Sequence, residues 1–147
     1  MRRAIVLVYL LFWGCSAIPR PLSFVHSESV ALRDVRRNRT IPIELYFPLG
    51  FGSQSVAPLI LISSGYNGSN TEYTFLARGL AEDGFLVASV QHEQPQDAPI
   101  ATSGDIFVAR MPVWERGVEN LQFVCTYLRS RFPKTPKKAP VLIGHSN

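Results

Sequence analysis

Three apolar runs without alternation set the strongest limit on what this chain can fold into. Pro58-Leu59-Ile60-Leu61-Ile62-Ser63, Phe85-Leu86-Val87-Ala88-Ser89-Val90 and Ala139-Pro140-Val141-Leu142-Ile143 are each apolar on both sides of an extended backbone. A strand of that kind is stable where both of its faces are covered, as in a parallel sheet sandwiched between helices. Between the first two runs, Tyr73, Leu76, Ala77, Leu80 and Ala81 recur at helical spacing, which predicts an amphipathic helix starting at Thr71, capped by Asn70 and stopped at Gly84. Strand, helix and strand make a βαβ unit. Before the third run, Trp114, Val118, Leu121, Cys125, Leu128 and Phe132 alternate in steps of four and three and predict a second helix, closed by Pro133. The polar stretch Gln91 to Met111, with Pro95, Pro99 and Gly104, is too long for a tight turn and is a candidate functional loop.

Upstream the period changes to two. Ile41, Ile43, Leu45 and Phe47 share one face of an extended segment, and with Val30-Ala31-Leu32 they predict an antiparallel pair. Pro42 donates no ladder hydrogen bond, which assigns this pair to the sheet edge. The charged Arg33 to Arg39 stretch between the two strands reads as a solvated turn. The fold class expected is therefore α/β, a mostly parallel sheet with an N-terminal antiparallel hairpin.

The chain has 147 residues, 46% of them apolar, with 15 Lys and Arg against 11 Asp and Glu. That suits one domain and argues against disorder. Residues 1–17 read as an export signal: Arg2 and Arg3, an apolar core from Ala4 to Trp13, then Gly14, Cys15, Ser16 and Ala17. Residues 18–147 are the domain, expected to be secreted or periplasmic. Removing Arg2 and Arg3 lowers the net charge of +4 by two, and the compositional case for nucleic-acid binding goes with it. The run from Ala4 to Trp13 falls well short of the roughly 20 residues a membrane-spanning helix needs. Lipid attachment at Cys15, anchoring the protein at a membrane, is the alternative to simple release. Cys125 lies on the apolar stripe and reads as a small core residue, so no disulfide framework is expected. The three His lack metal-ligand spacing and no phosphate-binding glycine loop is present, so neither metal nor organic cofactor is expected.

Chemistry enters after the third run. Gly144-His145-Ser146-Asn147 follows a strand as the start of a Gly-x-Ser-x-Gly nucleophile elbow does, where a sharp turn lifts the Ser above the sheet. Acyl transfer by such a Ser needs backbone N–H groups aimed at the oxyanion that develops on the substrate. In an elbow enzyme they come from the residue after the nucleophile, here Asn147, and from the loop after an earlier strand, here Tyr66. Gly65 beside Tyr66 lets that loop approach a substrate closely.

At this point the sequence resembles the α/β-hydrolase family, in its dienelactone hydrolase-like and platelet-activating-factor acetylhydrolase-like branch. The resemblance runs over roughly residues 30–147 and is carried by Arg36-x-x-Arg39-x-Ile41-Pro42-Ile43-x-Leu45-Tyr46-Phe47-Pro48, by Pro58 to Tyr66, by Tyr73 to Ala88, by Val90-Gln91-His92 and by Gly144-His145-Ser146. It implies a Ser nucleophile at Ser146, oxyanion donors at Tyr66 and Asn147, and hydrolysis of a small-molecule carboxylic ester. One departure is that the family usually has His-Gly where this chain has Ser64-Gly65.

In that fold the acid and the base of the triad follow the Ser, and only Asn147 follows Ser146 in this sequence. His92, at the end of a strand but ahead of the Ser, is expected to be structural or to line the substrate. The 147 residues are therefore expected to be an incomplete hydrolase domain, truncated after the nucleophile strand and negligibly active. A non-catalytic secreted binding module, or a degenerate remnant, is the alternative from another class.

Overall fold

A computed structural model of the protein describes residues 25–145. The expected export signal with Cys15, and also Ser146 and Asn147, lie outside the described residues. The chain forms β1 (His26–Asp34), β2 (Arg39–Phe47), β3 (Leu59–Ser63), α1 (Thr74–Glu82), β4 (Leu86–Val90), α2 (Ile106–Arg131) and β5 (Val141–Gly144). The sheet runs β1-β2-β4-β3-β5, with β1 and β2 antiparallel, β2 antiparallel to β4, and β4, β3 and β5 parallel. This is the expected α/β architecture. Among the described residues no helix is long and apolar enough to cross a membrane.

Period-two alternation divides the strands between two cores. Ile41, Ile43, Leu45, Leu61, Ala88 and Val90 face one side, where α2 covers them with Val124 and Leu128. Tyr46, Ile60, Ile62 and Val87 face the other, where α1 covers them with Ala77 and Ala81. The Tyr46 hydroxyl bonds Thr74 Oγ1 at 2.8 Å and so fixes the start of α1 on its face. Helix α1 ends where the chain turns at Gly84, whose φ of +95° lies in the region that favours glycine. Because α1 and α2 cover opposite faces, the connections out of β3 and β4 part there, and the loops after both strands emerge at the same edge of the sheet.

Several expectations are corrected. The hairpin is not wholly at the edge: β1 is, but β2 pairs on both sides. Pro42 is tolerated because the ladder to β4 stops beside it. The last partner pair is Ile43 with Val90, and the Pro42 carbonyl accepts from Gln91 N–H at 3.0 Å just beyond. Helix α1 starts at Thr74, not at Thr71, and Asn70 does not cap it. Residues 70–73 form tighter turns instead, with Glu72 N–H on Ser69 C=O and Thr74 N–H on Thr71 C=O. Helix α2 starts at Ile106, eight residues before the expected stripe, with the Asp105 carboxylate accepting from Val108 N–H at 3.2 Å. Pro112, which removes one helical hydrogen bond, lies inside it and hides those first turns from the sequence.

The buried side of α2 is also rotated by about one residue from the stripe read in the sequence. Val113, Asn120, Val124 and Leu128 are buried, whereas Val118 is 53% exposed. Strand β5 is not buried: Val141 and Leu142 are 53% and 60% exposed, because β5 is the outermost strand of the described sheet. The Arg stretch is not simply solvated either. Arg37 pairs with Asp34 at 2.6 Å and with Glu119 of α2 at 3.0 Å, and Arg39 is drawn into a cluster described next.

Candidate active site at the carboxyl edge of β3 and β5

Strands β3 and β5 are parallel neighbours in the register Ser63 opposite Gly144. The chain therefore leaves both strands at one point. His145 N–H donates to Ser63 C=O at 3.3 Å, and the His145 ring meets Tyr73 edge-on at 5.8 Å between centroids. A groove of about 420 Å³ opens there, walled by Gly65 to Ser69, Glu72 and His145. Thus the strand that leads into the expected elbow ends against the loop expected to carry an oxyanion donor.

That loop is a tight turn. Gly68 N–H donates to Gly65 C=O at 2.8 Å, with Asn67 at φ +60°. At its base the buried Ser64 hydroxyl donates to Ser69 C=O at 3.0 Å. Gly68 has no room for a Cβ, which would lie 2.9 Å from both Gly65 O and Ser64 Cβ and would also meet the tip of the Glu72 side chain. Tyr66 sits at the turn's first central position. Its N–H has no hydrogen-bond partner among the described residues, which is what an oxyanion donor requires before substrate arrives. Its hydroxyl accepts from Ile100 N–H at 3.0 Å.

His92 lies two residues past the end of β4 and is 2% exposed. Its Nε2 lies 2.8 Å from Ser63 Oγ and its Nδ1 lies 3.4 Å from Asn120 Nδ2, so Ser, His and Asn stand in a line that looks like a catalytic relay. The protonation runs the wrong way for one. The Asn120 amide also reaches the His92 C=O at 3.5 Å, so its N–H₂ side faces the imidazole and Nδ1 is the acceptor. Nε2 then carries the proton and donates to Ser63, which leaves no lone pair to activate the hydroxyl. Burial, followed by the Arg39 and Arg116 charges, lowers the imidazole pKa to about 4. Through these contacts the enclosed imidazole links Ser63 of β3 to Asn120 of α2.

Around it lies a charged cluster that the sequence does not announce. Arg39 of β2 grips Asp97 with two hydrogen bonds, at 2.8 and 2.6 Å, and also donates to the His92 C=O. Asp97 in turn accepts from Gln94 N–H at 2.7 Å, and Gln94 donates through its side chain to Thr40 C=O. The bonds from Arg39 hold the Asp97 carboxyl below the usual carboxylate range. Arg116 of α2 stands 3.6 Å from the buried Glu93 and 3.8 Å from Asp97. These contacts span segments far apart in sequence, and no local pattern marks their members. Among the described residues there is no group of three or more His, Cys, Asp or Glu that could hold a metal ion. A second cavity, of about 460 Å³, lies at the other end of the hairpin among Phe47, Phe51 and Phe132 and holds none of these groups.

No protein-family model matches the chain, and no curated protein matches its sequence. Solved structures do match, and together with the strand order they show that the chain has the α/β-hydrolase fold. The neighbours include a ferulic acid esterase from Anaeromyces mucronatus, solved in complex with ferulic acid, at 11% identity and a TM-score of 0.59 over 85% of this chain and 50% of that one. A protein assigned as a dienelactone hydrolase from Klebsiella pneumoniae matches at 13% identity and a TM-score of 0.60 over 83% and 50%. A carboxyl esterase from Bacillus coagulans matches at 12% and 0.50, over 75% and 34%. The chain thus spans about half the length of the first two. Its neighbours are esterases and hydrolases.

Proposed function

We propose that the protein is a serine hydrolase of small-molecule carboxylic esters. Ser146 Oγ attacks the acyl carbonyl, the alcohol leaves as the acyl-enzyme forms, and water then releases the acid and restores the hydroxyl. The N–H groups of Tyr66 and Asn147 hold the oxyanion in both steps. One observation carries the reading: the pairing of Ser63 with Gly144 brings the end of the elbow strand against the loop in which Tyr66 N–H has no partner among the described residues. The esterase neighbours support it at the level of the fold.

His92 is not the base in this scheme, since its Nε2–H is spent on Ser63. The test is hydrolysis of p-nitrophenyl acetate by the gene product at its natural length, with Ser146→Ala beside it. Turnover lost in the variant supports the reading; equal turnover refutes it. Export of the protein, to the periplasm or the medium, rests on residues 1–17 alone. Amino-terminal sequencing of the exported protein should begin at Ile18; a chain that retains Met1 and stays in the cytoplasm contradicts export.

A further inference from the structure

The loop that carries Tyr66 has glycine at both ends of its turn, and within itself it is held by the Gly68 to Gly65 and Ser64 to Ser69 hydrogen bonds alone. One bond ties its tip outward: the Tyr66 hydroxyl accepts from Ile100 N–H at 3.0 Å. Ile100 belongs to the connection between β4 and α2, and that connection is anchored on both sides of it. Upstream, Asp97 is gripped by Arg39 and caps Gln94, whose side chain holds Thr40 C=O. Downstream, Arg110 Nε donates to Ala101 C=O at 3.0 Å. A glycine-flanked loop is thus pinned, by a side chain, to a segment fixed by ion pairs.

We propose that the Tyr66 phenol is a positioning group for the oxyanion donor: by its bond to Ile100 it sets where its own backbone N–H stands over the groove. The proposal rests on the serine-hydrolase reading above. Oxyanion donors act through geometry prepared before reaction, and they meet the charge of the transition state more than they meet the neutral carbonyl of the substrate. A loosened Tyr66 N–H therefore costs turnover and leaves ground-state binding alone. The phenol touches no reacting atom in this scheme, so its effect passes entirely through the backbone it fixes.

The test is Tyr66→Phe in the gene product at its natural length, which keeps the ring and the backbone N–H and removes only the acceptor. Expected is a fall in kcat of about tenfold, milder than the roughly 100- to 1,000-fold loss on deleting a whole oxyanion donor. KM should stay within about twofold. The Ki of a trifluoromethyl ketone, whose hemiketal mimics the oxyanion, should rise by the same factor as kcat falls, and the Ile100 amide should exchange with solvent faster than in the wild type. An unchanged kcat, or a change in KM alone, overturns the proposal, even where Ile100 exchange quickens, because the bond is then structural only. A wild-type protein that hydrolyses no ester and is not modified at Ser146 overturns the hydrolase reading itself, and this proposal with it.

Discussion

At the scale of single residues, His92 makes the sharpest statement about energetics. A histidine that titrates near 6.5 in an unfolded chain is held near pH 4 in the fold by burial and by the neighbouring Arg39 and Arg116. Between those two values the unfolded chain binds a proton that the native state refuses. Stability should therefore be complete above about pH 6.5 and fall as pH drops toward 4, by about 3 kcal/mol in all. Asp34 and Asp97 behave in the opposite sense. Their arginine partners lower their pKa values, so their contribution is present above the usual carboxylate value of 3.8 and is lost only below it. Urea midpoints measured from pH 7.5 to 3 should show both windows, and His92→Gln should abolish the slope between 6.5 and 4 while keeping the lower one. A variant that retains the upper slope would assign it to some other group. None of this is legible at His92 in the sequence, because the two arginines come from β2 and from α2, 53 residues before it in one case and 24 after it in the other.

At the scale of elements, the strands are readable and the second helix is only half so. Ile41, Ile43, Leu45 and Phe47 reveal β2 because period-two alternation is the direct imprint of one face of a pleated strand packed on a core. The runs at Leu59–Ser63 and Leu86–Val90 reveal β3 and β4 because both their faces are covered. Helix α2 misleads because its buried side includes a polar residue. Asn120, fully buried, is there to meet His92, and a search for apolar residues at spacings of three and four skips it and settles on the neighbouring stripe through Val118. The two registers can be told apart by truncation. Val124→Ala, at a fully buried position outside that stripe, should cost about 2 kcal/mol. Val118→Ala, at an exposed position, should stay within about 0.5 kcal/mol. Comparable losses at both sites, read from denaturant unfolding, would restore the stripe read from the sequence. Strand β5 misleads for another reason: its apolar run forecasts burial on both faces, while Val141 and Leu142 stand open on the outermost strand of the described sheet.

At the scale of the whole molecule, the strand order β1-β2-β4-β3-β5 decides where chemistry can occur. The crossover from β3 through α1 and the crossover from β4 through α2 pass on opposite faces, so the loops after β3 and β4 and the end of β5 gather at one edge. Sequence reasoning reaches Tyr66 and Gly144 separately, each from the local logic of a turn after a buried strand. It cannot show that β3 and β5 are neighbours, since 77 residues lie between Tyr66 and Gly144 and pairing between strands leaves no local trace. The structure supplies that adjacency, in the register of Ser63 with Gly144 and in the bond from His145 N–H to Ser63 C=O. It also supplies the cluster of Arg39, Asp97, Arg116 and Glu93, which ties β2 and α2 to the start of the connection between β4 and α2. In the hydrolase reading proposed above, this edge prepares Ser146 for attack on an acyl carbonyl. The most direct measurement is peptide mapping by mass spectrometry after the gene product at its natural length has reacted with a fluorophosphonate. A single adduct on Ser146, absent from the Ser146→Ala variant, is the predicted result; an unmodified protein, or an adduct confined to another residue, contradicts the account.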